Sequence, residues 1–170
     1  MKAIYKALAS FNKILQKFEI ILGSTCLGVL FLVMIVNAAL RYCFKGGLNW
    51  SDELNGFLFV WFGFLAAAYT MSTNSHLNIT AFINLFPKWL RYALSVIMNV
   101  IMIYMFVRYM PDLGKLLKTL PKSNVMRIPL KYVYYILPAS FILMIWHCAF
   151  NVLTATCDMF GWTDGKETGK

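Results

Sequence analysis

Two histidines, four cysteines and one acidic pair are the side chains of this sequence best suited to chemistry. His147 stands inside the last long apolar run, where an ionisable group is a functional candidate by default. One reading makes it a neutral imidazole hydrogen-bonded to a neighbouring helix or subunit. The sharper reading, haem ligation, needs a second histidine at matching depth, and the other one, His76, only follows the second apolar run. Cys26 and Cys148 fall inside apolar runs, while Cys43 follows the first run and Cys157 ends the last. A four-span topology puts those last two on opposite faces, and no Cys-x-x-Cys occurs. The thiols therefore read as free, small apolar groups. The expectation is no catalytic residue, no cofactor and no metal site.

The acidic pair Asp52 and Glu53 follows Asn49, Trp50 and Ser51 at the start of the second apolar run. One account is local. Asn49 or Ser51 caps a helix, the two acids favour its positive end, and Trp50 anchors at the membrane interface. The other account is docking of a partner by the acidic pair, together with Arg41. Both stay open at this point.

Composition says what must position these residues. Of 170 residues, 60% are hydrophobic and 14% charged, against roughly 45–50% and 25% in soluble domains. A soluble globular protein and a disordered chain are both excluded. The net charge of +9 would suggest nucleic acid elsewhere. Here most basic residues flank apolar runs, so membrane anchoring explains them and no nucleic-acid partner is expected. Charged residues leave uncharged runs at 20–40, 54–87, 92–107 and 132–157. A spanning helix needs about 20 apolar residues. The third run is short, but Arg91 and Arg108 can snorkel. The fold class is an all-α integral membrane protein, a single membrane domain over 1–170. Its four transmembrane helices lie near 20–40, 54–72, 88–110 and 132–157. The first run is too long for a signal-peptide core and stays in the mature protein.

Two amphipathic helices are expected beside the spans. In residues 1–18, Ile4, Ala7, Leu8, Phe11, Ile14, Leu15 and Phe18 fall within an arc of about 120°. Lys2, Lys6, Lys13 and Lys17 lie opposite. This is the pattern of a helix lying in the interface, with Phe11 and Leu15 facing phospholipid tails and Lys13 and Lys17 the water. After Pro111, Leu113, Leu116, Leu117 and Leu120 form a stripe opposite Lys115 and Lys118, ended by Pro121. Residues 77–86 form a less regular apolar stretch. Gly56, Gly63 and Ala67 share one face of the second span, where small residues let a helix approach closely. Asn37 and Asn99, inside spans, are expected to bond across helices. Pro138 should kink the fourth span unless it falls in the first turn. No Asp, Glu, Lys or Arg lies in the middle of a span, which argues against a proton-coupled carrier acting alone. Lys and Arg tie between the two sides. The four lysines before the first span decide for both termini cytoplasmic.

Arg41-Tyr42-Cys43-Phe44, then Leu48-Asn49-Trp50-Ser51-Asp52-Glu53-Leu54, the aromatic run 57–64, His76, Ser123, Ile128-Pro129, Tyr132 and Leu137-Pro138 are in order here. In that order and spacing they resemble the small membrane (DctQ-type) subunit of tripartite ATP-independent periplasmic (TRAP) transporters, with the overall likeness leaning to the sialic-acid branch. The resemblance implies a large membrane subunit that carries the substrate and sodium sites, and a periplasmic binding protein that delivers an organic acid. It implies that this chain braces the large subunit in the bacterial inner membrane and offers a docking surface. Arg41, Asp52, Glu53, Lys115, Lys118 and Lys122 are the docking candidates, and Gly56, Gly63, Ala67, Asn37, Asn99 and His147 the subunit-interface candidates. The polar end at Lys170 leads us to expect the large subunit as a separate chain. Competing functions are a haem-binding redox anchor and a free-standing small carrier.

Overall fold

Long apolar stretches without interior breakers form long helices, because the backbone satisfies itself only within them when lipid surrounds it. The computed structural model describes residues 2–44, 46–73 and 88–159. Its helices are α1 (Lys2–Phe44), α2 (Ser51–Ser72), α3 (Lys88–Thr119), α4 (Leu130–Tyr134) and α5 (Ile136–Met159). Four stretches are long and apolar enough to cross a membrane, Ala7–Cys43, Ser51–Ser72, Ala93–Thr119 and Leu130–Cys157. His76, the stretch 77–86 and the residues from 160 onward lie outside the described residues.

Two boundaries differ from the sequence reading. The interfacial segment 1–18 and the first span are one helix of 43 residues. Neither Gly nor Pro separates Phe18 from Ile20, so nothing ends the hydrogen-bond ladder there. At about 1.5 Å per residue the helix is about 65 Å long, twice the hydrocarbon thickness of about 30 Å. The amphipathic stripe after Pro111 likewise continues the third span to Thr119, with Pro111 inside the helix and exposed. Pro138 behaves differently. The helix is interrupted at Tyr135, so Pro138 falls in the first turn of α5, where a missing N–H costs nothing.

The helices pack as an open row. α1 lies on α2, α2 on α5, and α5 on α3, while α1 touches α5 only lightly. Aromatic rings stitch the middle, with Phe141 of α5 at 6.4 Å from Phe64 of α2 and 5.0 Å from Phe106 of α3. In α1 the buried positions are Asn12, Glu19, Gly23, Cys26, Leu30 and Asn37. Their spacings of three, four and seven put them on one stripe of the helix. Phe11, Ile14, Phe18 and Ile21 remain exposed. Ile14, Phe18 and Ile21 therefore face away from the other helices, Phe11 sits at the margin against Trp146, and the polar edge faces inward.

In the N-terminal half of α1, Tyr5, Phe11, Asn12 and Glu19 meet α5 between Trp146 and Phe150. Tyr5 stacks on Phe150 and Phe11 meets the edge of Trp146.

The close approach of α1 and α2 occurs at Gly23. A Cβ there would sit 3.7 Å from Cβ of Leu65 and 4.0 Å from Phe62. Gly23→Ala should be tolerated, since these are ordinary contact distances. Gly23→Leu should overpack the seam and cost about 1–3 kcal/mol. Thermal unfolding of the detergent-solubilised subunit measures both, with Gly63→Leu as the control because a Cβ at Gly63 meets nothing.

Candidate docking end and buried polar cluster

At one end of the row, α1 finishes, α2 begins, and the α3–α4 connection folds over them. Asn37 near the end of α1 is buried, and its Oδ1 accepts the Leu48 N–H at 2.8 Å. That bond fixes the turn into α2. The cap is not the expected one. Trp50 is the N-cap and supplies no side-chain bond, while the Ser51 hydroxyl turns back and donates to the Leu48 carbonyl at 2.7 Å. Asp52 and Glu53 do occupy the first turn.

Glu53 reaches further than a capping acid would. Its Oε1 accepts the Asn124 N–H at 3.1 Å and its Oε2 the Met126 N–H at 2.9 Å. The connection it grips is a small hairpin. Ser123 N–H donates to the Ile128 carbonyl at 2.8 Å, Leu130 N–H to the Pro121 carbonyl at 3.2 Å, and Lys122 bridges Pro129. Arg127 takes φ 54°, left-handed backbone that only Gly enters cheaply. Arg41, Asp52, Lys122 and Arg127 are exposed at this end. Lys115 is less available than the sequence suggests. It pairs with Asp112 at 3.2 Å, and Asp112 also lies 3.7 Å from Arg108. These pairs are exposed and contribute little stability. Lys118 is exposed near the end of α3.

The other feature is a polar cluster far from that end. His147 is fully buried. Its Nδ1 is 2.7 Å from Asn12 Oδ1 and its Nε2 is 2.9 Å from Glu19 Oε1. Beside it, Gln16 donates to the Ser72 carbonyl at 3.4 Å and Asn151 to the Met71 carbonyl at 2.9 Å. Helices α1, α2 and α5 are thus tied where α2 ends. The sequence analysis allows His147 a bond to a neighbouring helix but names neither Asn12 nor Glu19 as its partner. The available signal was the seven-residue spacing of Asn12 and Glu19, which puts both on one face.

The proposed interface residues divide. Asn37 and Asn99 are both buried; Asn37 is bonded as above and Asn99 donates to the Ser95 carbonyl at 2.8 Å. His147 is buried and bonded within the chain in the same way. Gly56 and Gly63 are exposed, with open space at their Cβ positions, and Ala67 is half-buried nearby. Of the interfacial anchors, Phe11, Lys13 and Lys17 are exposed and Leu15 is half-buried. Cys26 and Cys148 are buried and Cys43 is exposed.

Four long apolar helices, packed in a row and tied by polar side chains at two levels, define an all-α membrane protein whose side chains are spent on packing. The chain belongs to the family described as "Tripartite ATP-independent periplasmic transporters, DctQ component", which it matches over residues 30–158. It is also similar to the "Putative TRAP transporter small permease protein" of Haemophilus influenzae, 30% identical over 99 residues. That alignment covers 58% of this chain and 59% of the relative, so the chain spans less than two thirds of that relative's length. The chain is thus a component of a transporter family, not of an enzyme family.

Breaking a buried pair by removing one partner orphans the other and costs about 3–5 kcal/mol. Glu19→Gln and His147→Ala should each lower the melting temperature of the subunit markedly. The double variant should lose clearly less than the sum, because the two changes remove one shared interaction. Additive losses in the melting curves would mean that the two side chains are not coupled.

Proposed function

We propose that this chain is the small permease subunit of a sodium-coupled TRAP importer for an organic acid, of the sialic-acid or C4-dicarboxylate type. It braces a large elevator-type subunit in the bacterial inner membrane. Its termini face the cytoplasm, and the Glu53 end faces the periplasm, where it helps dock the binding protein. In this reading the sodium ions belong to the large subunit and this chain holds no cofactor. The N-terminal half of α1 lies in the inner interface, with Phe11, Ile14 and Phe18 toward lipid.

One observation carries the bracing role. The helices form an open row instead of enclosing a path, and its long-range polar contacts, His147 with Asn12 and Glu19, Asn151 with Met71 and Trp61 with Val133, run between its own elements. A free-standing carrier would need an intramembrane polar site open to substrate. A brace needs a rigid body with unpartnered faces, and the α2 face with Gly56, Phe59 and Gly63 is exposed. Small residues there let the large subunit's helices come close.

The test is reconstitution. Transport in liposomes should require this chain, its large subunit and the binding protein together. Gly63→Leu should leave the isolated subunit folded but reduce its co-purification with the large subunit. Cysteine labelling at position 118 from outside spheroplasts should succeed. Full transport without this chain would refute the scaffold role, and labelling only from the cytoplasm would invert the topology.

A further inference from the structure

The hairpin between α3 and α4 is held in one shape by a side chain about seventy positions earlier, Glu53. We propose that Glu53 is a positioning residue, and that its grip presents Arg127 to an acidic surface on the binding protein. The identity of the partner rests on the function proposed above, while the grip itself stands on the bonds alone.

Three observations converge. First, both oxygens of one carboxylate are taken by amides of one loop, Asn124 and Met126. Charge-assisted bonds of this kind are stronger than neutral ones. With the closing bonds at Ser123 and Leu130, they leave the hairpin little freedom to lose on binding, which favours affinity.

Second, Arg127 occupies left-handed backbone, which disfavours a side chain by about 1–2 kcal/mol relative to Gly. Glycine would be the cheaper residue for the turn. An exposed arginine held against that cost points to work done by its side chain.

Third, the surroundings have the composition of a protein contact. Val125 and Ile128 flank Arg127 and are exposed, as is Tyr132 beyond, with the Lys131 ammonium 5.1 Å from its ring centre. Arginine and tyrosine with apolar neighbours are enriched at interface centres. The exposed cations Lys122, Arg127 and Lys131 give this end a positive surface, while Arg108 and Lys115 share Asp112. Anionic lipid would also attract such charges, but it does not require one fixed backbone shape. A folded acidic surface does benefit from one.

The assembled transporter provides the test, using Glu53→Gln and Arg127→Gly. Gly keeps the left-handed backbone without strain, so the second variant removes charge and leaves shape. Glu53→Gln should speed amide exchange at Asn124 and Met126. It should raise the half-saturating binding-protein concentration about tenfold, with assembly retained. Arg127→Gly should raise that concentration several-fold at low salt, leave amide exchange as in the native chain, and lose its effect at high salt.

Unchanged exchange in Glu53→Gln overturns the grip. Saturable native transport with both variants unshifted overturns the docking role while leaving the functional reading intact. Weaker retention on phosphatidylglycerol vesicles, with unchanged binding-protein dependence, assigns the surface to lipid and overturns the proposal. Native transport that ignores the binding protein overturns the functional reading instead.

Discussion

Lipid tails are as apolar as leucine, so the hydrophobic effect cannot tell one apolar helix face from another in this chain. Polar contact can. The packing depends on the few side chains that carry a donor or acceptor to a different element. Asn12 and Glu19 meet His147, Asn151 meets the end of α2, and the Trp61 indole donates to the Val133 carbonyl at 2.8 Å. Each such bond contributes on the order of 1 kcal/mol. Their main effect is on register. Sliding α5 along its neighbours by one turn would break the bonds of Asn151 and His147 together, leaving buried polar groups in an apolar setting.

Because these bonds are few, they select neighbours in sequence-distant pairs and leave the row open. α3 is attached to α5 largely through aromatic and aliphatic packing, and most of its outer surface is exposed. α1 shows the same division lengthwise. Its stripe from Asn12 to Asn37 is buried, and residues such as Leu32 and Ile35 on the other side are more than 60% exposed. A soluble four-helix protein would bury these faces in a central core. Here they suit lipid or a second membrane protein, and a chain with two broad free faces can be held by both.

The spans were legible because charge marks their limits. The uncharged runs bounded by Glu19 and Arg41, and by Lys131 and Asp158, are helical almost throughout, although α1 continues past Glu19 and the last run is interrupted at Tyr135. The acidic first turn of α2 and the free face at Gly56 and Gly63 were legible for a similar reason, since spacing alone assigns a face. What stayed hidden was pairing across the chain. A search for the apolar arc in residues 1–18 finds Ile14 and Phe18, which face away from the other helices, and Phe11, which is exposed but also touches Trp146. The face that docks is the polar edge with Asn12 and Glu19, and no local pattern announces that His147 lies opposite. Glu53 has a complete local explanation as a first-turn acid, so its second role, gripping a loop, could not be inferred without that loop's shape. The boundary at residue 19 was misplaced because a charged residue limits the uncharged run without ending the helix.

The two polar levels gain their meaning from the rods between them. α2 carries Glu53 at one end and the acceptor carbonyls of Met71 and Ser72 at the other, a separation of about 28 Å along the helix axis. α1 carries Asn37 and Glu19 at corresponding levels, with Gly23 and Leu30 buried between them. A single tie would leave two apolar helices free to pivot about it. Ties at both ends, with close packing at Gly23 and Leu65 between them, remove the pivot and make α1 and α2 one beam. α5 is fastened to that beam at Asn151 and His147, and the short α4 before it at Trp61 through the Val133 carbonyl. Resistance to a bending or shearing force follows from fixing both ends of each rod in this way.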